Sequence, residues 1–284
     1  MKIIDMRLRP PFGSFLNPDQ QIFQKEFSTA FAADYDAKFP KSAEEKSLDL
    51  CLKEMDEAGI TKGVVPVRVT QGCSNEDIAE LLAMHPDRFI GMAGVFHDDI
   101  EKAVNDIEKF VVDGPFTGVF LEPTVCGKLG SYEGTKHADD KRLYPIYETC
   151  QSKNISMLIS FGGFTAPDHS YNDPIHIDQV ARDFPNLKMI LGHGSWPYVS
   201  QACFVAMNRE NVYLSPDLYM INSWGQVDYA LAANYRIRDK IIFGTAYPCI
   251  EFSMAVEHYL KQLRPEVVED VMYYNAVRAL GLDD

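Results

Sequence analysis

The chain has 284 residues, of which 46% are hydrophobic, and this is enough to build a large core in one α/β domain. Its formal charge of −14, from 27 basic and 41 acidic side chains, argues against binding nucleic-acid phosphates or an anionic membrane. We see no signal-peptide core, no bilayer-spanning segment and no C-x-x-C pair among six cysteines, so we expect a cytoplasmic protein with reduced thiols.

Eight short apolar runs have the length and composition of buried β-strands. Breakers such as Pro10 and Pro11 end them or lie close by. The predicted strands are residues 2–6, 63–67, 89–95, 118–122, 156–161, 188–191, 212–217 and 240–248.

Helical periodicity and capping signals fill the intervals between these strands. Ser42-Ala-Glu-Glu45 reads as a capping box, Ser74 with Asp77 marks another start, and Pro197 suits the first turn of a helix. The predicted helices are residues 42–59, 74–85, 100–111, 142–153, 175–184, 196–208 and 226–235, then about 251–263 and 265–280. This alternation, without an early G-x-G-x-x-G turn, predicts an α/β fold, specifically a closed (β/α)8 TIM barrel.

Long segments without clear periodicity interrupt the pattern. Residues 12–41 are predicted to be a loop insertion over one end of the fold, and the Gly-rich residues 124–140 a binding or lid loop. We treat 1–284 as a single domain. The insertion could pack on a neighbouring copy, so a homo-oligomer is possible.

The active site of such a barrel is assembled from residues that end the strands. Here these residues are rich in acids, bases and guanidinium groups. They are Asp5, Arg7, Arg9, Arg68, His97, Glu122, Ser160, His193, Asp217 and Ala246.

Arg7 and Arg9 alternate with apolar residues, so on a strand both side chains point to the same side. Two guanidiniums on one face are suited to binding a carboxylate. Internal salt bridges with Asp5, Glu122 or Asp217 are the alternative, and the two interpretations are compatible. We expect the ligand to be a small carboxylated metabolite.

His193 is the strongest candidate for a general acid or base, because it follows a buried strand and an imidazole titrates near neutrality. Asp217 and Glu122 each hold a carboxylate beside a proline at a strand end, where either could orient His193 or activate water. A buried ion pair with Arg7 or Arg9 is the alternative role for both.

Other polar and aromatic residues near the strand ends carry weaker signals. His97 and His169 lie beside acidic residues in loops, and we expect both to be solvated. No G-x-S-x-G elbow supports a serine nucleophile. Several aromatic side chains near one mouth would suit a flat substrate, and they are Tyr171, Trp196, Tyr198, Tyr219 and Tyr247.

Four motifs carry a resemblance to a known family. They are Ile4-Asp-Met-Arg-Leu-Arg9, Gly192-His193-Gly194, Phe243-Gly-Thr-Ala-Tyr-Pro248 and Asn275-Ala-Val-Arg-Ala-Leu-Gly-Leu282. Over nearly its whole length the chain resembles the amidohydrolase-related family, in the branch of aminocarboxymuconate-semialdehyde decarboxylase and related metal-dependent hydrolases of TIM-barrel fold.

The resemblance implies a metal site whose ligands are replaced in this chain. The family pattern places two histidines at Arg7 and Arg9, a third at Ser160 and an aspartate at Ala246. Arginine is always protonated and has no acceptor atom, and alanine offers no lone pair, so we expect no metal cofactor. The family's strand-six histidine is retained as His193. A displaced site for one divalent metal such as zinc, using Glu122, His193 and Asp217, is the alternative.

The first functional hypothesis is a metal-independent hydrolase of a small carboxylated substrate such as a lactone, since the wider superfamily includes lactonases that work without metal. His193 would be the general base and Arg7 and Arg9 the clamp for a carboxylate or carbonyl, with Ser160, Trp196 and Tyr247 as further substrate contacts. A non-oxidative decarboxylase of an aromatic or unsaturated acid is the second hypothesis. A pseudoenzyme that binds a metabolite without turnover is the third.

Overall fold

The computed structural model describes residues 1–18, 20–30 and 38–283. Seven parallel strands form one sheet in chain order, β1 to β7, each hydrogen-bonded to the next. The strands are Ile4–Asp5, Lys62–Pro66, Phe89–Gly94, Gly118–Leu121, Ser156–Ser160, Met189–Gly192 and Val212–Ser215.

The predicted eighth strand closes the barrel as an irregular segment of residues 240–247. On one side the N–H of Leu214 donates to Lys240 O and the N–H of Ile242 donates to Leu214 O. On the other side the N–H of Met6 donates to Phe243 O, and Leu8 bridges Tyr247. The fold is therefore of the predicted (β/α)8 TIM-barrel type, with a last strand reduced to isolated bridges.

Twelve α-helices lie in the described part of the chain, and in the barrel they pack outside the strands. Nothing among them is long and apolar enough to cross a membrane. Helices α1 to α12 are Lys25–Thr29, Lys41–Glu44, Leu48–Glu57, Asn75–Met84, Ile100–Ile107, Tyr144–Ser152, Pro174–Asp183, Val199–Asn208, Gln226–Tyr235, Phe252–Gln262, Pro265–Glu269 and Asn275–Leu280.

Two helix starts differ from the prediction. The predicted capping box at Ser42 is wrong, because the N–H and the hydroxyl of Ser42 both donate hydrogen bonds to the Glu54 carboxylate. Ser47 caps α3 instead, and its side chain accepts a hydrogen bond from the N–H of Leu50. The chain turns at Pro197, so α8 begins only at Val199. The start signal at Ser74, which accepts from Asp77 N, is confirmed.

The predicted loop insertion at 12–41 is partly ordered into helical turns. Its described residues include 3₁₀ turns at Gly13–Leu16 and Gln21–Phe23 and helices α1 and α2. Residues 19 and 31–37 lie outside the described part. The sequence signal for these turns was weak because none spans more than a turn or so of helix.

The barrel has an apolar interior that becomes polar toward the carboxyl ends of the strands. The interior side chains are Ile4, Met6, Val64, Ile90, Met92, Phe120, Leu158, Ile190, Tyr213 and Ile242. Because side chains alternate along a strand, Glu122 and Ser160 lie one inward position above Phe120 and Leu158. The polar layer therefore lies where the fold predicts a site.

Candidate active site

A pocket opens at the carboxyl ends of the strands, and three arginines lie in its wall. Arg7 and Arg9 lie beyond the end of β1, and both line this pocket, so their side chains point to the same side of the chain as predicted. Its lining residues are Arg7, Arg9, Ile22, Phe27, Arg68, Leu129, Phe164, Thr165, His193, Leu218, Tyr219, Ala246 and Cys249.

Arg7 is buried against Asp217 at the bottom of the pocket. Its Nε lies 3.8 Å from Asp217 Oδ2, and both side chains are almost wholly inaccessible to solvent. Glycines make room for this pair, because a Cβ on Gly192 would lie 2.6 Å from Arg7 Nη1 and a Cβ on Gly244 2.5 Å from Asp217 Oδ1. Burial lowers the pKa of Arg7, while Asp217 opposes that shift.

Asp5 joins β1 to the closing segment, and its ion pair with an arginine, one of the two alternatives, is not found among the described residues. Its carboxylate accepts the N–H groups of Arg7 and Thr245 at 3.0 and 2.9 Å and the Thr245 hydroxyl at 2.6 Å. Burial raises the pKa of Asp5 to about 7, although these three donors act against the shift. Asp5 therefore fixes the backbone that carries Arg7.

Arg9 is held by neutral groups. Its Nη2 donates to the carbonyl of Ala246 at 2.8 Å and lies 3.9 Å from Cys249 Sγ. Burial lowers the pKa of Arg9 to about 10, which leaves the guanidinium charged at neutral pH. Arg9 is thus a buried cation whose described hydrogen bonds include no carboxylate.

Glu122 is engaged by Arg68 and not by His193. Arg68 Nε and Nη2 donate to Glu122 Oε1 at 2.9 and 2.6 Å, and the Thr70 hydroxyl donates to Oε2 at 2.7 Å. Both carboxylate oxygens are therefore occupied. The position of Glu122 supports a role in holding Arg68 at the pocket wall rather than in activating water.

His193 and Asp217 form the close pair that the sequence suggested. His193 Nδ1 lies 3.3 Å from Asp217 Oδ2, and the same oxygen accepts the His193 backbone N–H at 3.1 Å. The Ser215 hydroxyl donates to Asp217 Oδ1 at 2.6 Å. Burial raises the pKa of Asp217, whereas Arg7 and these donors favour its ionised form.

The pKa of His193 lies well below its ordinary value. Burial is the main cause, and the charges of Arg7, Arg9 and Arg68 add to it. The imidazole is therefore neutral at physiological pH. With Nδ1 toward Asp217, the arrangement suits a general base whose other nitrogen is available for a proton.

Left-handed backbone conformations cluster at the ends of the last three strands. His193, Asp217 and Ala246 have φ values of 69°, 55° and 57°, and each is a non-glycine residue. Such residues are uncommon and cost free energy, so their grouping around one pocket indicates a functional constraint.

Aromatic rings form one wall of the pocket. Tyr219 lines it, and Trp196 stacks on Tyr219 with ring centroids 4.7 Å apart. Trp196 therefore supports the wall from behind, and its Nε1 donates to Trp224 O at 2.9 Å.

Tyr247, predicted as a substrate contact, lies away from the pocket. Its hydroxyl is 2.6 Å from Ser42 Oγ, and its ring stacks on Phe252 at 4.5 Å. Ala246 lines the pocket, whereas Tyr247 is not among the lining residues. The structure therefore does not support this residue as a substrate contact.

The expectation that His97 is solvated is wrong. Its side chain is buried, with Nε2 donating to Val125 O at 2.9 Å and Nδ1 accepting from Lys136 Nζ at 3.2 Å. Lys136 also donates to Asp98 at 2.8 Å. These bonds fasten the loop of residues 124–140 to the end of β3. His169 is exposed, as expected.

Several buried polar atoms around the pocket have no hydrogen-bond partner. Such atoms are costly unless a ligand or water satisfies them, so their concentration in one place indicates a binding site for a polar group. They are Arg7 Nη1, Arg9 Nε, Ser160 Oγ and Thr165 Oγ1. Arg7 Nε and His193 Nδ1 also make no hydrogen bond, but each faces Asp217 Oδ2, at 3.8 and 3.3 Å.

The residues at the family's metal positions do not fit a divalent cation. Arg7 and Arg9 present donors only, Ala246 has no side-chain ligand, and Ser160 alone offers an oxygen. The described residues contain no group of three or more His, Cys, Asp or Glu side chains able to hold a metal ion. The alternative site of Glu122, His193 and Asp217 is therefore not formed, since Glu122 is bound to Arg68.

Some pocket residues had little or no signal in the sequence. Arg68 was recognised as a strand end, but its pairing with Glu122 was not. Thr165 and Cys249 carry no motif. Ile22, Phe27 and Leu129 come from segments without periodicity, and only the general rule that barrel loops cover the active site pointed to them.

A family model and a curated protein each match most of the chain. The family model described as amidohydrolase matches residues 28–282. A 2-amino-3-carboxymuconate-6-semialdehyde decarboxylase from Dictyostelium discoideum is 22% identical over 249 residues, covering 74% of this chain and 66% of that relative. The chain thus spans just under two thirds of the relative's length.

Solved structures share the fold. An uncharacterized TIM-barrel protein from Bordetella bronchiseptica is 37% identical, with a TM-score of 0.90 and 99% of both chains covered. A dihydroxybenzoic acid decarboxylase from Polaromonas, solved with manganese and 2-nitroresorcinol, is 17% identical, with a TM-score of 0.71 and 99% and 96% of the two chains covered. The second likeness shows the fold alone.

Proposed function

Because the chain belongs to the amidohydrolase family, whose members are enzymes, we propose that it is a metal-independent hydrolase of a small carboxylated substrate such as a lactone. The observation that carries this proposal is the buried set of unpartnered guanidinium nitrogens on Arg7 and Arg9, next to the neutral His193. Guanidinium groups bind carboxylates through charge-assisted hydrogen bonds.

The proposed reaction divides the work between the cations and the imidazole. Arg7 and Arg9 hold a carboxylate or polarise the ester carbonyl, where negative charge develops. His193 takes a proton from a water molecule while the oxygen of that water forms a bond to the carbonyl carbon. The C–O bond then breaks, and His193 returns the proton to the leaving alkoxide. Asp217 orients the imidazole and stabilises its protonated form.

Non-oxidative decarboxylation of an aromatic or unsaturated acid is the second candidate. The names of two relatives, both decarboxylases, favour it. The same arginines would bind the carboxylate. As carbon dioxide leaves, the carbon that carried it would take up a proton from water, relayed through His193. Against it stands the set of donors at the family's metal positions, which does not fit a cation.

Hydrolysis in the presence of a chelator tests the proposal. Freshly purified protein is offered a panel of lactones with and without a carboxylate, together with aromatic acids, before and after treatment with a strong chelator. We expect turnover of carboxylated lactones that the chelator leaves unchanged. Stoichiometric metal whose removal abolishes turnover would contradict metal independence. Release of carbon dioxide from the aromatic acids would favour the second candidate. Binding of these compounds without any turnover would favour a non-catalytic role.

The pH dependence of turnover gives a second prediction. Since burial and the nearby arginines lower the pKa of His193, the base remains neutral into mildly acidic solution. We expect kcat/KM, which reports the ionisations of the free enzyme, to fall only as the pH drops below 6.5. In Arg9→Met this acid limb should move to higher pH, because one of the charges that disfavour the imidazolium is gone. An acid limb whose midpoint lies above pH 6.5 in the parent protein, or that moves to lower pH in Arg9→Met, contradicts the assignment of His193 as the general base.

A further inference from the structure

Helices α8 and α9 are almost uncharged although they lie at the surface. The whole chain is 24% charged, but among the 10 residues of each helix only Asp228 carries a charge. Large apolar side chains on α7, α8 and α9 and just before α9 are instead between 48% and 74% exposed. We call these side chains the apolar face, and they are Ile175, Phe204, Met207, Trp224, Val227, Leu231 and Tyr235.

The apolar face is continuous and is shaped into two grooves with a ridge between them. Trp224, Val227, Leu231 and Tyr235 follow one another at intervals of three or four residues, which places them on one stripe of α9 and its preceding turn. A groove between α8 and α9 is lined by Phe204, Met207, Leu231 and Tyr235, and a second groove between α7 and α8 by Ile175 and Phe204. Phe204 thus forms a ridge between two grooves.

The size of the apolar face matches what a stable dimer buries. With a fully exposed large side chain presenting on the order of 200 Å², these seven residues offer roughly 800 Å². A standard interface buries about 800 Å² per partner, whereas apolar patches on monomers reach about 300–600 Å².

We propose that a second copy of this chain docks on the apolar face and forms a two-fold symmetric dimer. Each copy carries a net charge of −14, so association of two copies is least opposed where surface charge is sparse. Helices α8 and α9, with Asp228 as their one charged residue, form such a surface. A ridge beside a groove is self-complementary under two-fold symmetry, because the ridge of each copy enters the groove of the other. The ion pair between Arg209 and Asp178, at 2.8 Å, supplies a polar rim.

The apolar face also reaches the pocket wall. The Trp224 ring packs on Trp196 with centroids 4.7 Å apart, and Trp196 in turn stacks on Tyr219 in the pocket. A copy docked on this face covers Trp224 and stabilises the aromatic wall from outside.

The test measures the oligomeric state of the chain and the solvent exposure of Trp224. Sedimentation velocity of the whole chain, diluted from tens of micromolar to tens of nanomolar, should show the mass of two chains at the higher concentrations. Phe204→Glu and Leu231→Glu, tested singly, should each raise the dimer dissociation constant more than about a hundredfold, because a carboxylate is buried in each half of the interface. Met84→Glu, at an exposed methionine on α4, is the matched control and should behave as the parent chain.

Acrylamide quenching gives a second readout, which is measured on the parent chain itself. The chain has two tryptophans, of which Trp196 is buried and Trp224 is 71% exposed. Quenching should increase on dilution as Trp224 becomes accessible, and Trp224→Phe should remove that change. The proposal is overturned by a parent chain that stays monomeric, by dimers of Phe204→Glu and Leu231→Glu as tight as the parent, or by a dimer in which Trp224 remains as accessible as in the monomer.

Discussion

Replacing His193 by glutamine is expected to lower kcat by about 10²–10⁴-fold, the usual contribution of a positioned acid or base. Glutamine keeps a polar side chain of similar reach but cannot accept a proton at neutral pH. Arg7 and Arg9 remain in place, so the affinity for a carboxylated substrate analogue should change by less than about threefold. Steady-state kinetics on a carboxylated lactone and calorimetric titration of the analogue measure the two effects separately.

His169→Gln is the matched control for this variant. His169 is an exposed loop histidine that does not line the pocket, so its replacement should leave both kcat and affinity unchanged. Equal losses in the two variants, or a His193→Gln protein that retains more than about a third of the parent kcat, would remove His193 from the proposed mechanism.

The parts of the site that the sequence predicted follow from repeating geometry. Parallel strands bring their carboxyl ends to one side of a barrel, so placing eight strands was enough to bring Arg7, Arg9, His193 and Asp217 together. The two-residue spacing places Arg7 and Arg9 on the same side of the segment that follows β1. Tyr247 belongs to the predicted eighth strand, but the backbone is left-handed at Ala246, and the Tyr247 hydroxyl contacts Ser42 outside the pocket.

The remaining errors concern partners that are distant in the chain. Glu122 binds Arg68 from a strand two positions away, and no local pattern shows how far an arginine side chain reaches. His97 is buried because Lys136, in a loop 39 residues later, covers it. Charged neighbours in the sequence suggested solvent for His97, whereas a tertiary contact decided its environment. Such contacts depend on loop conformations that hydrophobic periodicity does not encode.

Arg7→Met is expected to destabilise the protein by about 3–5 kcal/mol, the cost of leaving one partner of a buried ion pair without the other. Asp217 would then remain buried without the cation whose Nε is 3.8 Å away. The neutral groups that contact its carboxylate are the Ser215 hydroxyl and the backbone N–H and imidazole of His193. Affinity for carboxylated ligands should fall as well, since Arg7 Nη1, which has no hydrogen-bond partner, is removed. Urea denaturation monitored by circular dichroism measures the change in the free energy of unfolding.

A double-mutant cycle with Asp217→Asn separates the interaction energy between Arg7 and Asp217 from the packing contribution of each side chain. If the two charges compensate each other, Arg7→Met/Asp217→Asn loses less stability than the two single variants together. Arg142→Met removes an exposed arginine that also pairs with an aspartate, Asp140, and it should change the free energy of unfolding little because solvent screens that pair. Additive losses in the buried cycle would mean that Arg7 and Asp217 are not electrostatically coupled. The positive charge that we assign to substrate binding would then lack the counter-charge that keeps it at the base of the barrel.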